Sequence, residues 1–597
     1  MKRYNKMGSP SFHRREFLSV AGLGAVTFAA PAFLHSAEQK RKPSILLILT
    51  DDQGWGDIHS HGNRVLETPV LDELAESGAR FDRFFVSPVC APTRASLLTG
   101  RYHPRTGTHG VTRGYETMRV EEVTLAEILK QNGYRTGCFG KWHNGAHFPY
   151  HPNGQGFDEF YGFCAGHWNN YFDTTLEQNG EEIKSTGYIT DYLTDRAIDF
   201  IRSHQKMPFL CYVPYNAPHS PWQVPDRYFD KYKAKGLDDV TACAYAMVEN
   251  VDENIGRLLK TLDELNLAED TIVLFLTDNG PNSDRYNGNM KGRKGSTDEG
   301  GIRVPLFIRW QGRIKAGTVI EPIAAHIDLL PTLTELCGIS GYQTLPLDGV
   351  CLVPLLMQKD VVWNDRMLFD RWNRRGTVRT QRWRAVTNGK EWWLYDMEND
   401  PEQKYDVAEE NPELLEQFKS AYEQWERDGD VKGFDPIPIP IGYAERPEVV
   451  LPGHEAFFVP GQNQGISYEG PSGWANDYVA NWTETDSYPF WEVEVVTPGR
   501  YEFTLNYICS KDNVGAEIRL EIQDKSLAGR IDQVHDPEPL PSPDRSPRRE
   551  VFEKVWKPLT LGTLEMQPGR TQLRVRAISM PGKEVMDVKS VRVRKMG

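Results

Sequence analysis

Two segments of this chain, more than 200 residues apart, share one grammar. Ser44-Ile45-Leu46-Leu47-Ile48-Leu49-Thr50 runs into Asp51-Asp52, and Thr271-Ile272-Val273-Leu274-Phe275-Leu276-Thr277 runs into Asp278-Asn279. A short continuous apolar run that stops at polar residues reads as a strand buried on both faces, as in a parallel sheet covered by helices. Residues 135–139, 209–215 and 305–309 read the same way, and amphipathic helix patterns fall at 69–78, 124–133, 190–203 and 242–266. Strands alternating with helices predict an α/β fold built on a large mixed, mainly parallel sheet flanked by helices. In such sheets functional groups collect beyond the carboxyl ends of the strands. Asp51, Asp52, Asp278 and Asn279 are therefore expected to be neighbours.

The texture changes after residue 360. Residues 383–386 and 392–396 read as short antiparallel strands, and 412–427 as a helix, giving a small C-terminal antiparallel subdomain. Residues 431–452 are Pro-rich and read as a linker. Beyond it, apolar residues alternate at 501, 503, 505 and 507, at 518, 520 and 522, at 573 and 575, and at 591 and 593. Period-two strands between Pro/Gly turns predict a separate all-β sandwich. The expected division is 1–37, 38–360, 361–430, 431–452 and 453–597.

The first segment reads as a targeting signal. His13-Arg14-Arg15-Glu16-Phe17-Leu18 precedes an Ala/Gly-rich apolar run that ends near His35-Ser36-Ala37. A basic start, a short apolar stretch and small residues at a cleavage site describe a signal peptide. The paired arginines resemble a twin-arginine signal, which implies export machinery as a partner and a periplasmic or extracellular destination. The run is short for a bilayer span and contains Gly and Pro, and no later segment is apolar enough, so no membrane span is expected in the mature chain. The net charge of −14, with no long Lys/Arg run against it, argues against nucleic-acid binding. Eight cysteines are scattered without CxxC spacing, so neither a zinc knuckle nor a disulfide scaffold is indicated, although Cys337 and Cys351 could pair.

Asp51, Asp52, Asp278 and the amide oxygen of Asn279 form an oxygen-rich set suited to a hard cation, Ca²⁺ or Mg²⁺. Taken singly, each also suits a turn or a helix cap. Basic groups follow other strand ends: Lys141 and His143 in Gly-Lys-Trp-His, His219 in Pro-His-Ser-Pro, and Lys291, Arg293 and Lys294 in a Gly-rich turn. Alone each is an ordinary loop residue. Together they suit a dehydrated oxyanion pocket with histidines available for proton transfer.

Cys90-Ala91-Pro92-Thr93-Arg94, continuing into Ala95-Ser96-Leu97-Leu98-Thr99-Gly100-Arg101, resembles the C-x-P-x-R signature of the type I sulfatases of the alkaline-phosphatase-like superfamily. The aspartate pair, the Lys141/His143 segment, the His219 segment, Thr-Asp-Asn-Gly at 277–280 and the turn carrying Lys294 also look like family motifs, in family order. The resemblance spans roughly residues 42–428. It implies conversion of Cys90 to formylglycine by a formylglycine-generating maturation enzyme. It further implies one Ca²⁺ ion held by Asp51, Asp52, Asp278, Asn279 and the modified Cys90. Arg94 would stabilise the hydrated aldehyde, and Lys141 and Lys294 would neutralise sulfate oxygens. His219, with Lys294, would give a proton to the leaving oxygen, and His143 would act as base in the second step. Lys291 falls outside the family turn and reads as solvent-facing.

The implied activity is hydrolysis of sulfate monoesters on a sulfated carbohydrate. A phosphoester or phosphonate hydrolase of the same superfamily, and an inactive carbohydrate-binding relative, are the alternatives. His109, His167, Trp168 and Asn169 are candidates for substrate binding, because aromatic and amide groups suit sugars. The C-terminal module resembles sugar-binding sandwiches appended to polysaccharide-degrading enzymes. Trp474, Trp482 and Trp491 could form its aromatic platform, set against the core positions that sandwich tryptophans commonly fill. As an appended module it would be dispensable for small sulfate esters and needed for polysaccharide.

Overall fold

The computed structural model describes residues 41–359, 362–429 and 433–597. The segment read as a signal, 1–37, lies outside them. Strand Ser44–Thr50 lies at the middle of the large sheet, between Phe209–Pro214 and Thr271–Thr277, and parallel to both. Arg135–Lys141 and Glu159–Phe163 continue the parallel run on one side. On the other, Leu306–Arg309 pairs antiparallel with Thr271–Thr277. Ala79–Phe81, Thr318–Ile320, Thr175–Gln178 and Glu181–Lys184 complete ten strands among the described residues. The sheet is thus mixed, with a parallel centre.

Each face of the sheet carries its own core. Leu46 and Ile48 pack with helices Pro69–Ser77, Ile189–His204 and Asp239–Glu264. Ile45, Leu47 and Leu49 face Cys90–Thr99, Leu125–Gln131 and Leu329–Leu336. Successive strand side chains point to opposite faces, and both faces are covered, so no residue of the run can be polar without a buried partner. Helix Asp239–Glu264 starts three residues before the apolar periodicity does. Its first turn carries Asp239 and Thr241, and Asp238 caps it by accepting from the Thr241 N–H at 3.0 Å.

The antiparallel subdomain is a four-stranded sheet, Leu368–Trp372, Arg375–Arg379, Trp383–Thr387 and Trp392–Asp396. Helix Pro412–Gly429 packs on it through Leu415, Phe418, Tyr422 and Trp425. A buried charge cluster ties this sheet to the Gly-rich turn that carries Lys294. Glu299 Oε2 accepts from Arg384 Nη2 at 2.7 Å and stands 3.5 Å from Arg379 Nε, while Arg303 lies 3.5 Å from Oε1.

The C-terminal module is a β-sandwich of two sheets with a shared core that includes Trp491, Phe503, Leu505, Val575 and Val591. Trp482 and Trp491 are fully buried, and their indole N–H groups donate to Ser487 O (2.9 Å) and Pro452 O (2.8 Å). They are core residues and cannot form a sugar platform; Trp474 alone of the three is exposed, at 36%. Part of the stretch read as a linker is also sheet. Ile439–Ile441 pairs in parallel with Tyr488–Val495, and Glu448–Pro452 pairs antiparallel with Asp587–Lys595. Composition flagged the prolines, but Ile439 and Ile441 alternate with Pro440 at the period of a strand and turn inward. Ile439–Ile441 sits at a sheet edge, where a residue without an N–H is tolerated.

Glu299→Ala would leave Arg384 and Arg379 buried without their shared carboxylate. A destabilisation of about 3–5 kcal/mol is expected, read by denaturant titration.

Candidate active site

The register of the two central strands builds the site. Thr50 stands beside Thr277, so Asp51–Asp52 and Asp278–Asn279 leave the sheet at the same level. Asp52 then takes a left-handed conformation, φ 65°, which turns its N–H onto Asp278 Oδ1 at 3.1 Å. That region is uncommon for a residue with a side chain and clusters at functional sites. Asn279 Nδ2 donates to Asp52 Oδ1 at 2.7 Å, which leaves Asn279 Oδ1 free to face elsewhere.

Helix Cys90–Thr99 starts at the same place and is buried over all ten residues. Cys90 is its first residue and Arg94 lies one turn on, on the same face. Arg94 donates to Asp278 Oδ2 through Nη2 (2.8 Å) and Nε (3.2 Å), and to Lys141 O through Nη1 (2.8 Å). Lys141 closes the strand Arg135–Lys141 and reaches Asp51 Oδ2 at 2.5 Å. Lys294 bonds both oxygens of Asp52, at 2.6 and 2.8 Å, and His219 Nε2 lies 3.6 Å from Asp52 Oδ2. Asp51, Asp278, Arg94, Lys141 and Cys90 are nearly or wholly inaccessible, whereas Lys294 and His219 keep some exposure.

The histidine proton positions follow from their partners. A carbonyl oxygen can only accept, so the contacts assign the proton positions. His143 Nε2 donates to Val111 O at 2.9 Å, and Nδ1 is buried with no partner. His143 is also left-handed, φ 63°. His219 Nδ1 donates to Ser220 O at 2.6 Å, which turns Nε2 toward the carboxylates. His167 stacks on His219 with ring centroids 5.8 Å apart and planes within 5°.

Burial and charge set the ionisation. Burial opposes the charge of Asp51, but Lys141 above all, then His219, Arg94 and Lys294, hold its carboxyl well below the usual carboxylate range. Burial first, and the facing Asp51 second, push Asp278 well up, against the pull of Arg94. Burial is the largest influence on Lys294 and disfavours its cation, but the combined pull of Asp52, Cys90, Asp51 and Asp278 holds the ammonium above its ordinary value. Burial, then Lys141, push His143 well down; burial, then His219, do the same to His167.

The donor set suits a hard cation. Asp51 Oδ1 and Asn279 Oδ1 are buried without a hydrogen-bond partner, and ligand atoms of Asp51, Cys90 and Asp278 lie within 4.8 Å of one another. An unpaired buried oxygen is costly, and two of them beside crowded carboxylates ask for positive charge between them.

The Sulfatase family model matches residues 43–339, and one described as N-sulphoglucosamine sulphohydrolase, C-terminal, matches residues 294–427. The N-acetylgalactosamine-6-sulfatase of Canis lupus familiaris is 32% identical over 389 residues, which cover 59% of this chain and 70% of the relative. This chain belongs to the sulfatase family. Arylsulfatase A of Bos taurus is 34% identical over 383 residues, covering 56% of this chain and 71% of the relative. The crystal structure of Ps i-CgsB in complex with k-i-k-neocarrahexaose is similar at a TM-score of 0.62 and 33% identity, over 66% of this chain and 95% of that one. As a sulfatase of the alkaline-phosphatase-like superfamily the protein is a sulfuric ester hydrolase, and family members generally work with formylglycine and a metal ion. Both family models end before the sandwich begins.

The remaining candidates scatter. Trp168 stacks on Phe163 (5.1 Å) and donates to Thr174 Oγ1 at 2.8 Å, so its ring serves packing. His109 packs on Phe434, with ring centroids 4.6 Å apart, and meets Arg371. Asn169 is buried and donates to Glu553 Oε1 at 3.1 Å. Lys291 is exposed, as read, although its ammonium rests on Tyr395 Oη at 2.8 Å. None of the eight cysteines is disulfide-bonded, and Cys351 Sγ donates to Glu335 Oε2 at 3.1 Å instead of meeting Cys337. Sequence reasoning missed Glu550 and Glu553 of the sandwich, which reach the loops beside His219 and His167. They are ordinary acidic residues in a Pro-rich stretch, and nothing local marks them.

Adding Ca²⁺ to the chelator-treated sulfatase is expected to raise its melting temperature, as a cation accepted by these oxygens would. At 100 times the dissociation constant the gain is about 2.7 kcal/mol. Asp278→Asn should lose most of that gain in calorimetry.

Proposed function

We propose that the protein is an exported sulfatase that removes sulfate from sulfated sugars, using a formylglycine made from Cys90 and one Ca²⁺ ion held by Asp51, Asp52, Asp278, Asn279 and residue 90. The observation that carries the reading is the placement of Cys90. It opens a buried helix against carboxylates, ringed by Arg94, Lys141, Lys294, His143 and His219. Relatives named for N-acetylgalactosamine 6-sulfate, and a similar structure that holds a neocarrahexaose, support a sugar substrate. The twin-arginine-like start supports export, with Cys90 modified before the folded chain leaves. Among the described residues no helix is long and apolar enough to cross a membrane.

A sulfate monoester surrounds its sulfur with negative oxygens, so attack needs cations around it. Lys141 and Lys294 are aimed at that region, and Arg94 fixes Asp278 and the first helical turn. A hydrated formylglycine at residue 90 would supply an attacking hydroxyl and a second hydroxyl for release, and a Ca²⁺ held by Asp51, Asp52, Asp278 and Asn279 would supply positive charge for sulfate oxygens. His219 holds Nδ1–H on Ser220 O, so its Nε2 is the nitrogen that delivers a proton to the departing sugar oxygen. His143 has Nε2–H fixed on Val111 O, so the lone pair is on its buried, unpartnered Nδ1, the nitrogen that would take a proton in the release step.

Mass spectrometry of the active protein is expected to find formylglycine in the peptide containing Cys90; an unmodified thiol in fully active protein sinks the mechanism. Cys90→Ala should lower sulfate release by roughly 10³-fold or more while keeping the fold. A panel of defined sulfated saccharides, with the matching phosphate esters, identifies the substrate. Faster release of phosphate than sulfate would transfer the protein to the phosphoester alternative.

A further inference from the structure

The loops that carry the sugar-side residues are held from outside the family fold. Residues 531–556, between the sandwich strands Lys525–Arg530 and Lys557–Met566, cross to the α/β domain as an arm. The Arg545 N–H donates to Trp222 O at 2.8 Å, and its guanidinium reaches Val224 O (2.9 Å) and pairs with Asp226. Gln223 Nε2 donates back to Ser542 Oγ (2.7 Å) and Asp544 Oδ1 (2.9 Å). Nearer the site, Arg548 Nη2 donates to Asn169 O at 3.0 Å and Glu553 accepts from the Asn169 amide. Ser220 Oγ donates to Glu550 Oε1, and Glu550 is only 5% exposed. A second sandwich loop meets the same region: Asn476 Nδ2 donates to His167 O at 2.9 Å, and the Trp474 ring stands edge-on to His167 at 6.3 Å.

The Glu550–Ser220 contact touches the aim of a proton donor. Ser220 follows His219, and its carbonyl receives the Nδ1–H that orients the imidazole. Tyr171 Oη steadies the same peptide from the other side, within 2.8 Å of His219 O and 2.9 Å of Ser220 O. A nearly buried carboxyl group is costly unless bonded, and Glu550 directs one oxygen at Ser220 and the other at the Arg549 N–H, 3.2 Å away.

Resting on the reading of His219 as proton donor, we infer that the C-terminal sandwich is part of the catalytic unit, with Glu550 a positioning residue that acts through Ser220 on the His219 imidazole. Glu550 touches no reacting atom. A module that only captured polymer would be indifferent to the 219–226 loop, whereas this arm bonds it at Ser220, Trp222, Gln223, Val224 and Asp226.

The leaving group provides the test. A sugar oxygen departs poorly without a proton, whereas 4-nitrophenolate departs readily, so misplacing a general acid penalises the sugar far more. In the full-length protein, Glu550→Ala is expected to lower kcat on the best saccharide of the panel by about 10- to 100-fold, with KM changed less than about 3-fold. On 4-nitrophenyl sulfate the loss should stay below about 3-fold. Glu550→Gln keeps an oxygen for Ser220 Oγ and should recover most of the saccharide rate. Ser220→Ala cuts the same link from the other side and should reproduce the split even if Glu550→Ala folds badly. Equal losses on the two substrates, or no loss on the saccharide, overturn the inference. His219→Ala separates it from the reading beneath it. If that variant shows no leaving-group dependence, the role of His219 falls; if it does and the Glu550 and Ser220 variants do not, only the role of the arm falls.

Discussion

The pairing of Thr50 with Thr277 is the contact on which the site depends. It sets two parallel strands in one register, so that the carboxylates of Asp52 and Asp278 both come close to that of Asp51. Crowding carboxylates away from water is strongly unfavourable unless cations share the space. Lys141, Arg94 and Lys294 supply that charge from a strand end two places along the sheet, a helix start and a Gly-rich turn. The buried apolar strands thus do more than fill a core. They hold a charge cluster that could not assemble on a pliable scaffold.

The surroundings of the sheet carry this precision outward. Glu299, shared by Arg384, Arg379 and Arg303, pins the turn of Lys294 to the antiparallel subdomain. The sandwich arm reaches the loop of His219 in a comparable way, with hydrogen bonds to backbone carbonyls and to Ser220. Both are cases of a distant segment fixing a loop beside the chemistry. Loops gain function from rigid support, and here the support comes from parts of the chain beyond the first family model.

Much of this was legible in the chain. Unbroken apolar runs from Ile45 to Leu49 and from Ile272 to Leu276 demanded a sheet covered on both faces, and the polar residues closing them marked the functional edge. Cys90 and Arg94, four residues apart, announced one helical face. Periodicity was weaker where polar residues do structural work, as in the first turn of Asp239–Glu264. Composition misread residues 439–452, because proline content hid an alternation of inward isoleucines. Trp168, an aromatic in a promising loop, packs one face on Phe163.

The sequence by itself determined the reaction class, the sheet and the identity of the charged groups, because those depend on local patterns and ordered motifs. Only the tertiary structure decided which oxygens of Asp51 and Asn279 stay unpaired, which nitrogen of His143 and His219 is tied to a carbonyl, and that Glu550 stands beside Ser220. Those facts depend on partners hundreds of residues away or on the last ångström of a hydrogen bond. Neither leaves a periodic trace in the chain, since a single acidic residue in a Pro-rich arm looks the same whether it meets solvent or a catalytic loop.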